Sequence, residues 1–157
     1  MYESIRNLWA DALESGDYEQ GTGSMLKYDR YCCLGVLCEL HRKANAIANP
    51  STTCSEWEPS EDYQSLSYLE ARNHLPRDVV KWTGMTSEEI GDAADEQSNV
   101  VFKNTVTDAH GEKHVVNVNA SDLNDGEGSG NPKTETFEQI AVRVRAMVPS
   151  DSTTTIS

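Results

Sequence analysis

The residues best placed by type to do chemistry are Cys32 and Cys33, followed far along the chain by His114, Asn117 and Asn119. A thiol at the start of a helix is acidified by the partial positive charge there. A nearby imidazole can then take its proton, and an amide can orient the imidazole. Cys32 or Cys33 with His114 and Asn117 therefore makes a candidate catalytic set for acyl transfer. Free cysteine is also among the most buried residue types and packs as a small apolar side chain. On that ground both cysteines are expected to be structural and reduced, with no catalytic residue in the chain.

Metal chemistry is weaker. Cys32, Cys33, Cys38 and Cys54 could be joined by His41, but structural zinc sites use cysteine pairs two to four residues apart, and Cys32 and Cys33 are adjacent. The acidic run Asp122-Leu123-Asn124-Asp125-Gly126-Glu127 suggests calcium until Glu127 is found where an EF-hand loop needs its glycine. No metal and no cofactor is expected.

Small-ligand binding asks only for a concave site with aromatic faces and a few convergent polar groups. Tyr18, Gln20, Tyr28, Arg30, Tyr31 and Trp82 supply these, and Arg72 or Arg77 could meet a phosphate. Gly21 and Gly23 would let backbone amides approach an anion. The plainer reading of the same residues puts Trp9 and Trp82 in the core, the tyrosines at its edge and the glycines in turns.

Positioning these groups falls to a set of short elements. Ile5, Leu8, Trp9 and Leu13 share one helical face, with Ser4 as cap and Gly16 as stop. Tyr18 to Leu26 reads as a loop or short strand. Tyr31 to Leu40 is nearly all apolar, and its length favours a central buried helix over a strand. Residues 46–62 form a polar surface loop, and a short strand is expected at Gln64 to Leu69. Pro76 opens a short helix through Trp82 that Gly84 ends. Thr86 and Glu89 have capping-box spacing for a helix over residues 87–97. Val100 to Thr107 and Lys113 to Val118 form a hairpin. Asn124 to Pro132 is a glycine-rich loop. Thr136 and Gln139 cap a last helix whose Phe137, Ile140, Ala141, Val144 and Val148 share a face, ending at Pro149. The pattern predicts an α+β fold: a single compact domain over residues 1–149 with a central apolar helix, several shorter helices and a β-hairpin or small antiparallel sheet. A disordered tail is expected at 150–157.

Composition narrows the function. With 26 acidic against 13 basic residues, the formal charge is −13. Nucleic-acid affinity depends on Lys and Arg displacing condensed counterions, so no nucleic-acid partner is expected. Anionic lipid would be repelled too, and no apolar run approaches the roughly 20 residues needed to cross a bilayer. Four unevenly spaced cysteines and no signal-like N-terminal stretch point to a soluble cytoplasmic protein. The oligomeric state is left open.

The blocks Trp9-x3-Leu13-x-Ser15-Gly16-x-Tyr18-x-Gln20-Gly21-x-Gly23 and Tyr31-Cys32-Cys33-Leu34-Gly35-Val36-Leu37-Cys38 resemble a family of small proteins encoded by bacteriophages and prophages. Leu75-Pro76-x2-Val79-x2-Trp82-x-Gly84-Met85, Leu123-Asn124-Asp125-Gly126 and Thr136-Phe137-Glu138-Gln139-Ile140-Ala141 look like its later blocks. The Val100 to Val118 hairpin looks like an elaboration. The resemblance implies an accessory role in an infected bacterial cell, such as countering host defence. The expected function is then non-enzymatic: sequestering a nucleotide-like immune signal or blocking a host protein. The alternative is a hydrolase, because the order Cys, His, Asn is similar to that of papain-like enzymes.

Overall fold

The computed structural model describes residues 1–50, 56–61, 64–91, 98–126 and 134–148. Cys54, the helix expected over 87–97 beyond Gly91, most of the loop after Asn124 and the tail from 150 lie outside these. The fold is α+β. No helix among the described residues is long and apolar enough to cross a membrane.

At the centre is α2 (Cys33–Ala48), in which every residue from Cys33 to Leu40 is buried. Leu34, Val36 and Leu37 are fully enclosed, and each such side chain contributes about 1.5 to 3 kcal/mol on leaving water. Tyr31 stands outside this helix. It ends β3 (Arg30–Tyr31), and Cys32 is the N-cap. Gly35 is required by packing: a Cβ there would overlap the carbonyl of Met25 and lie 2.7 Å from its carbon.

Helix α1 (Glu3–Glu14) packs on α2 and on α6 (Phe137–Arg145). Ile5, Trp9 and Leu13 meet Phe137, Ile140, Ala141 and Val144 in one core cluster, and the Trp9 indole donates to the Cys33 carbonyl at 3.0 Å. Three expectations here need correction. The N-cap is Tyr2, so Ser4 lies in the first turn. Leu8 sits at the edge of its apolar stripe, 41% exposed. Val148 lies beyond the end of α6 and is 85% exposed, so it does not share that helix's buried face.

The larger sheet is built from strands of two to four residues, β1 (Glu19–Gln20), β2 (Leu26–Lys27), β3, β4 (Trp57–Pro59) and β5 (Ser65–Tyr68), ordered β1-β3-β2-β5-β4. β1 and β3 are parallel and the other neighbours antiparallel. Two turns of this sheet are strained. Tyr28–Asp29 links the paired Lys27 and Arg30, and Leu69–Glu70 links the bridged Tyr68 and Ala71. Such two-residue turns require positive φ at both positions, normally supplied by Asn or Gly. Here φ is 51° and 61° in the first and 50° and 68° in the second, which costs about 1 to 2 kcal/mol per residue.

Helix α3 (Arg77–Thr83) is capped by Pro76 and ends at Gly84 with φ 67°. A Cβ on Gly84 would also collide with the Tyr2 ring. The expected capping boxes open α4 (Ser87–Ile90) and α6. β6 (Val101–Thr107) and β7 (Lys113–Asn119) form the expected hairpin as a separate two-stranded sheet. The chain then makes a helix that sequence reading missed, α5 (Ala120–Asp125).

Candidate functional site

The catalytic set does not come together. Cys32 Sγ accepts from the Gly35 amide at 3.4 Å, Cys33 Sγ donates to the Ala120 carbonyl at 3.5 Å, and Cys38 Sγ meets Met25 Sδ at 3.6 Å. All three cysteines are buried. Burial pushes the Cys32 thiol up to about 12 and those of Cys33 and Cys38 well above 9.0. Desolvation of the thiolate outweighs the helix N-terminus that was expected to acidify it. His114 is exposed on β7, with Nε2 2.8 Å from Asp108 Oδ2. Cys33 touches Ala120, six residues further along, so at 3.2–3.4 Å per strand residue His114 is roughly 20 Å away. Asn117 is exposed on the same strand opposite Lys103. Of the zinc set, Cys54 lies outside the described residues, and His41 Nδ1 is engaged by the Tyr68 hydroxyl at 2.6 Å.

Gln20 and Asn124, from two of the motif blocks, turn inward as a clamp. Asn124 is fully buried. Its Oδ1 accepts from Gln20 Nε2 at 3.0 Å and from the Cys33 amide at 3.2 Å. Its Nδ2 donates to the Gly21 carbonyl and to Asp125 Oδ1, both at 2.8 Å. Gln20 also donates to the Glu135 carbonyl at 2.8 Å and accepts from the Phe137 amide at 3.0 Å. Two side chains thus tie the Gly21 loop, the start of α2, α5 and the start of α6 together. Gln20, read from sequence as a ligand contact, is occupied in holding the fold.

Tyr18, Tyr31 and Trp82 are gathered into an aromatic band. Ring contacts run from Tyr18 to Tyr31, Trp57, Tyr68, His41 and Trp82, with successive centroids 5.2 to 6.1 Å apart. The polar atoms of Trp57, Tyr18, Tyr68 and His41 are engaged within the protein. Trp57 Nε1 donates to Glu39 Oε2 at 2.8 Å, Arg42 forks onto the same carboxylate at 2.8 and 2.7 Å, and Lys43 donates to the Tyr18 hydroxyl at 2.8 Å. Burial raises the Glu39 carboxyl, but the Arg42 and Trp57 hydrogen bonds prevail and hold it below its ordinary range. Burial, aided by the Glu39 charge, pushes Tyr31 up to about 12. Burial lowers His41, against the nearby Asp78 charge.

Of the remaining candidates, Tyr28 stands exposed on its strained turn with Lys27 over its ring. Arg30 pairs with Glu19 at 3.0 Å, and Arg72 is exposed while its carbonyl accepts from Met25.

Arg77 lines a cleft. This depression of about 500 Å³ lies between the strained Leu69–Glu70 turn and the start of α3, walled by Ala71, His74, Pro76, Asp78 and Ser98. The Leu75 amide donates to the Ser98 carbonyl at 2.7 Å, which ties Ser98 to the chain entering α3. Burial keeps His74 below its ordinary range, toward the neutral form. Arg77, His74, Ser98, Glu70 and Asp78 line the cleft around apolar Leu69 and Pro76. Backbone strain concentrates at functional sites, and here it borders the cleft. Sequence reading found Arg77 but missed Leu69, Glu70, His74 and Ser98. Only the Pro76 turn gave a signal near them.

No curated protein and no solved structure matches the chain. A family model described as a domain of unknown function, DUF8296, matches residues 1–148. That span takes in the clamp, the aromatic band and the cleft, and the chain belongs to the DUF8296 family.

Proposed function

We propose that the protein acts by binding, taking a small phosphorylated, nucleotide-like ligand in the cleft beside Leu69–Glu70. One observation carries this reading: Arg77, His74 and Ser98 converge in a concave site bordered by a strained turn, while the thiols of Cys32, Cys33 and Cys38 are sealed in the core. In this reading Arg77 meets the phosphate with a charge-assisted hydrogen bond. Glu70 and Asp78 accept from sugar hydroxyls or base amines, and Leu69 and Pro76 cover an apolar face. In the setting implied by the likeness to phage and prophage proteins, such binding withdraws a nucleotide-like immune signal in the host cytoplasm.

Thermal denaturation against a panel of nucleotides and cyclic nucleotides tests the reading. At least one compound should raise the melting temperature, since ligand at 100 times its Kd adds about 2.7 kcal/mol. Arg77→Ala should remove that shift, and Arg30→Ala, outside the cleft, should keep it. If no compound shifts the transition, the reading fails. The second reading, blocking of a host protein, draws on a different observation. A groove of about 600 Å³ between α4, β6 and α6 is lined by Val101, Phe102, Val142, Met147 and Val148, with Val142 66% exposed.

A further inference from the structure

We propose that the tip of the β6–β7 hairpin is a binding site for a divalent first-row transition-metal ion, held by Asp108, Glu112 and His114. One ligand atom from each of the three lies within 4.8 Å of the others. Atoms bound tetrahedrally to one ion at about 2.0–2.2 Å stand about 3.3–3.6 Å apart. The pair His114 Nε2 and Asp108 Oδ2, now hydrogen-bonded at 2.8 Å, has to open by only about 0.5 Å to admit the ion between them. Glu112 is exposed on the same turn, so its side chain is free to rotate toward the ion.

The turn holds these ligands in place. The Asp108 amide donates to the Glu112 carbonyl at 2.9 Å, and the Gly111 amide donates to the Asp108 carbonyl at 3.0 Å. Asp108 Oδ1 accepts from the His110 and Glu112 amides at 2.8 and 2.9 Å. Its carboxylate plane is therefore fixed by backbone donors, and Oδ2 is left facing His114, an outer-shell arrangement of the kind that orients metal ligands.

Two carboxylates and one imidazole select the class of ion. Hard magnesium and calcium prefer all-oxygen shells, whereas an imidazole nitrogen suits zinc and its neighbours. With His114 about half exposed, an ion enters without rearrangement of the core and keeps water in its open positions. A plain Asp108–His114 ion pair has no use for Glu112, whereas a metal site does, so Glu112 separates the two explanations.

The test is calorimetric titration of the metal-free full chain with zinc sulfate, with magnesium chloride as control. Loss of an outer-shell partner alone weakens metal sites about 10–100-fold. Glu112→Ala and His114→Ala should each weaken zinc at least that much, with the far-ultraviolet dichroism unchanged, and magnesium should give no heat. Absence of zinc binding up to millimolar concentration overturns the proposal. So does zinc binding that survives both substitutions, which would assign the ion to other residues.

Discussion

Replacing Asn124 by Ala removes the side chain on which four segments converge. The substitution orphans the Cys33 amide at the buried start of α2 and the Gly21 carbonyl, whereas Gln20 Nε2 keeps the Glu135 carbonyl. The buried Cys33 amide left unsatisfied costs about 1–3 kcal/mol, and the part-buried Gly21 carbonyl adds less, with a small cavity in addition. Urea denaturation followed by tryptophan fluorescence should show the midpoint falling with an unchanged slope. Asn124→Asp should recover little, because a carboxylate can accept from Cys33 and Gln20 but cannot donate to Gly21. A double-mutant cycle with Gln20→Ala should give a coupling of about 0.5–3 kcal/mol. A loss below about 1 kcal/mol for Asn124→Ala would refute the clamp and return Gln20 to the surface as a ligand contact.

Alkaline destabilisation follows from the buried acids. Cys32, Cys33, Cys38 and Tyr31 all bind protons more tightly when folded. The unfolded chain loses thiol protons from about pH 9.0, so their stabilising contribution is complete below that pH and is lost as pH rises toward about 12. Each thiol should account for about 1.4 kcal/mol per pH unit in that window, and a urea midpoint unchanged between pH 8 and 10 would contradict the burial. Cys32→Ala and Cys33→Ala should lower stability and leave ligand binding intact when assayed below the melting temperature. Gly35→Ala should prevent native packing, because the atoms its Cβ meets are backbone of Met25 and cannot rotate away. A cooperative wild-type melting curve for that variant would refute the close approach.

Much of the fold is legible in the sequence wherever the signal is local. The apolar run around Leu34 to Leu40, both capping boxes, Gly84 and the long hairpin all follow from residue type and spacing. The larger sheet does not, because strands of two residues such as Glu19–Gln20 and Leu26–Lys27 are too short to show alternation. Its turns are hidden as well, since Tyr28–Asp29 and Leu69–Glu70 lack the Asn or Gly that normally marks positive φ. Helix α5 is missed because Asp122, Asn124 and Asp125 read as loop residues, and only the distant partners Gln20, Gly21 and Cys33 make a buried Asn124 favourable. The site divides in the same way. Aromatic residues near the motifs are found but prove to be engaged with one another. The cleft depends on juxtaposing Ser98 with residues 69–78, which no local pattern encodes.

The central claim is that a ligand enters the cleft beside Leu69–Glu70 with Arg77 as its anion partner. Amide chemical-shift mapping of the nitrogen-15-labelled protein, titrated with each nucleotide of the panel, tests it most directly. At least one compound should shift the amides of residues 69–78 and of Ser98, and Arg77→Ala should abolish those shifts. Shifts confined to residues 101–103 and 142–148, or none with any compound, would contradict it.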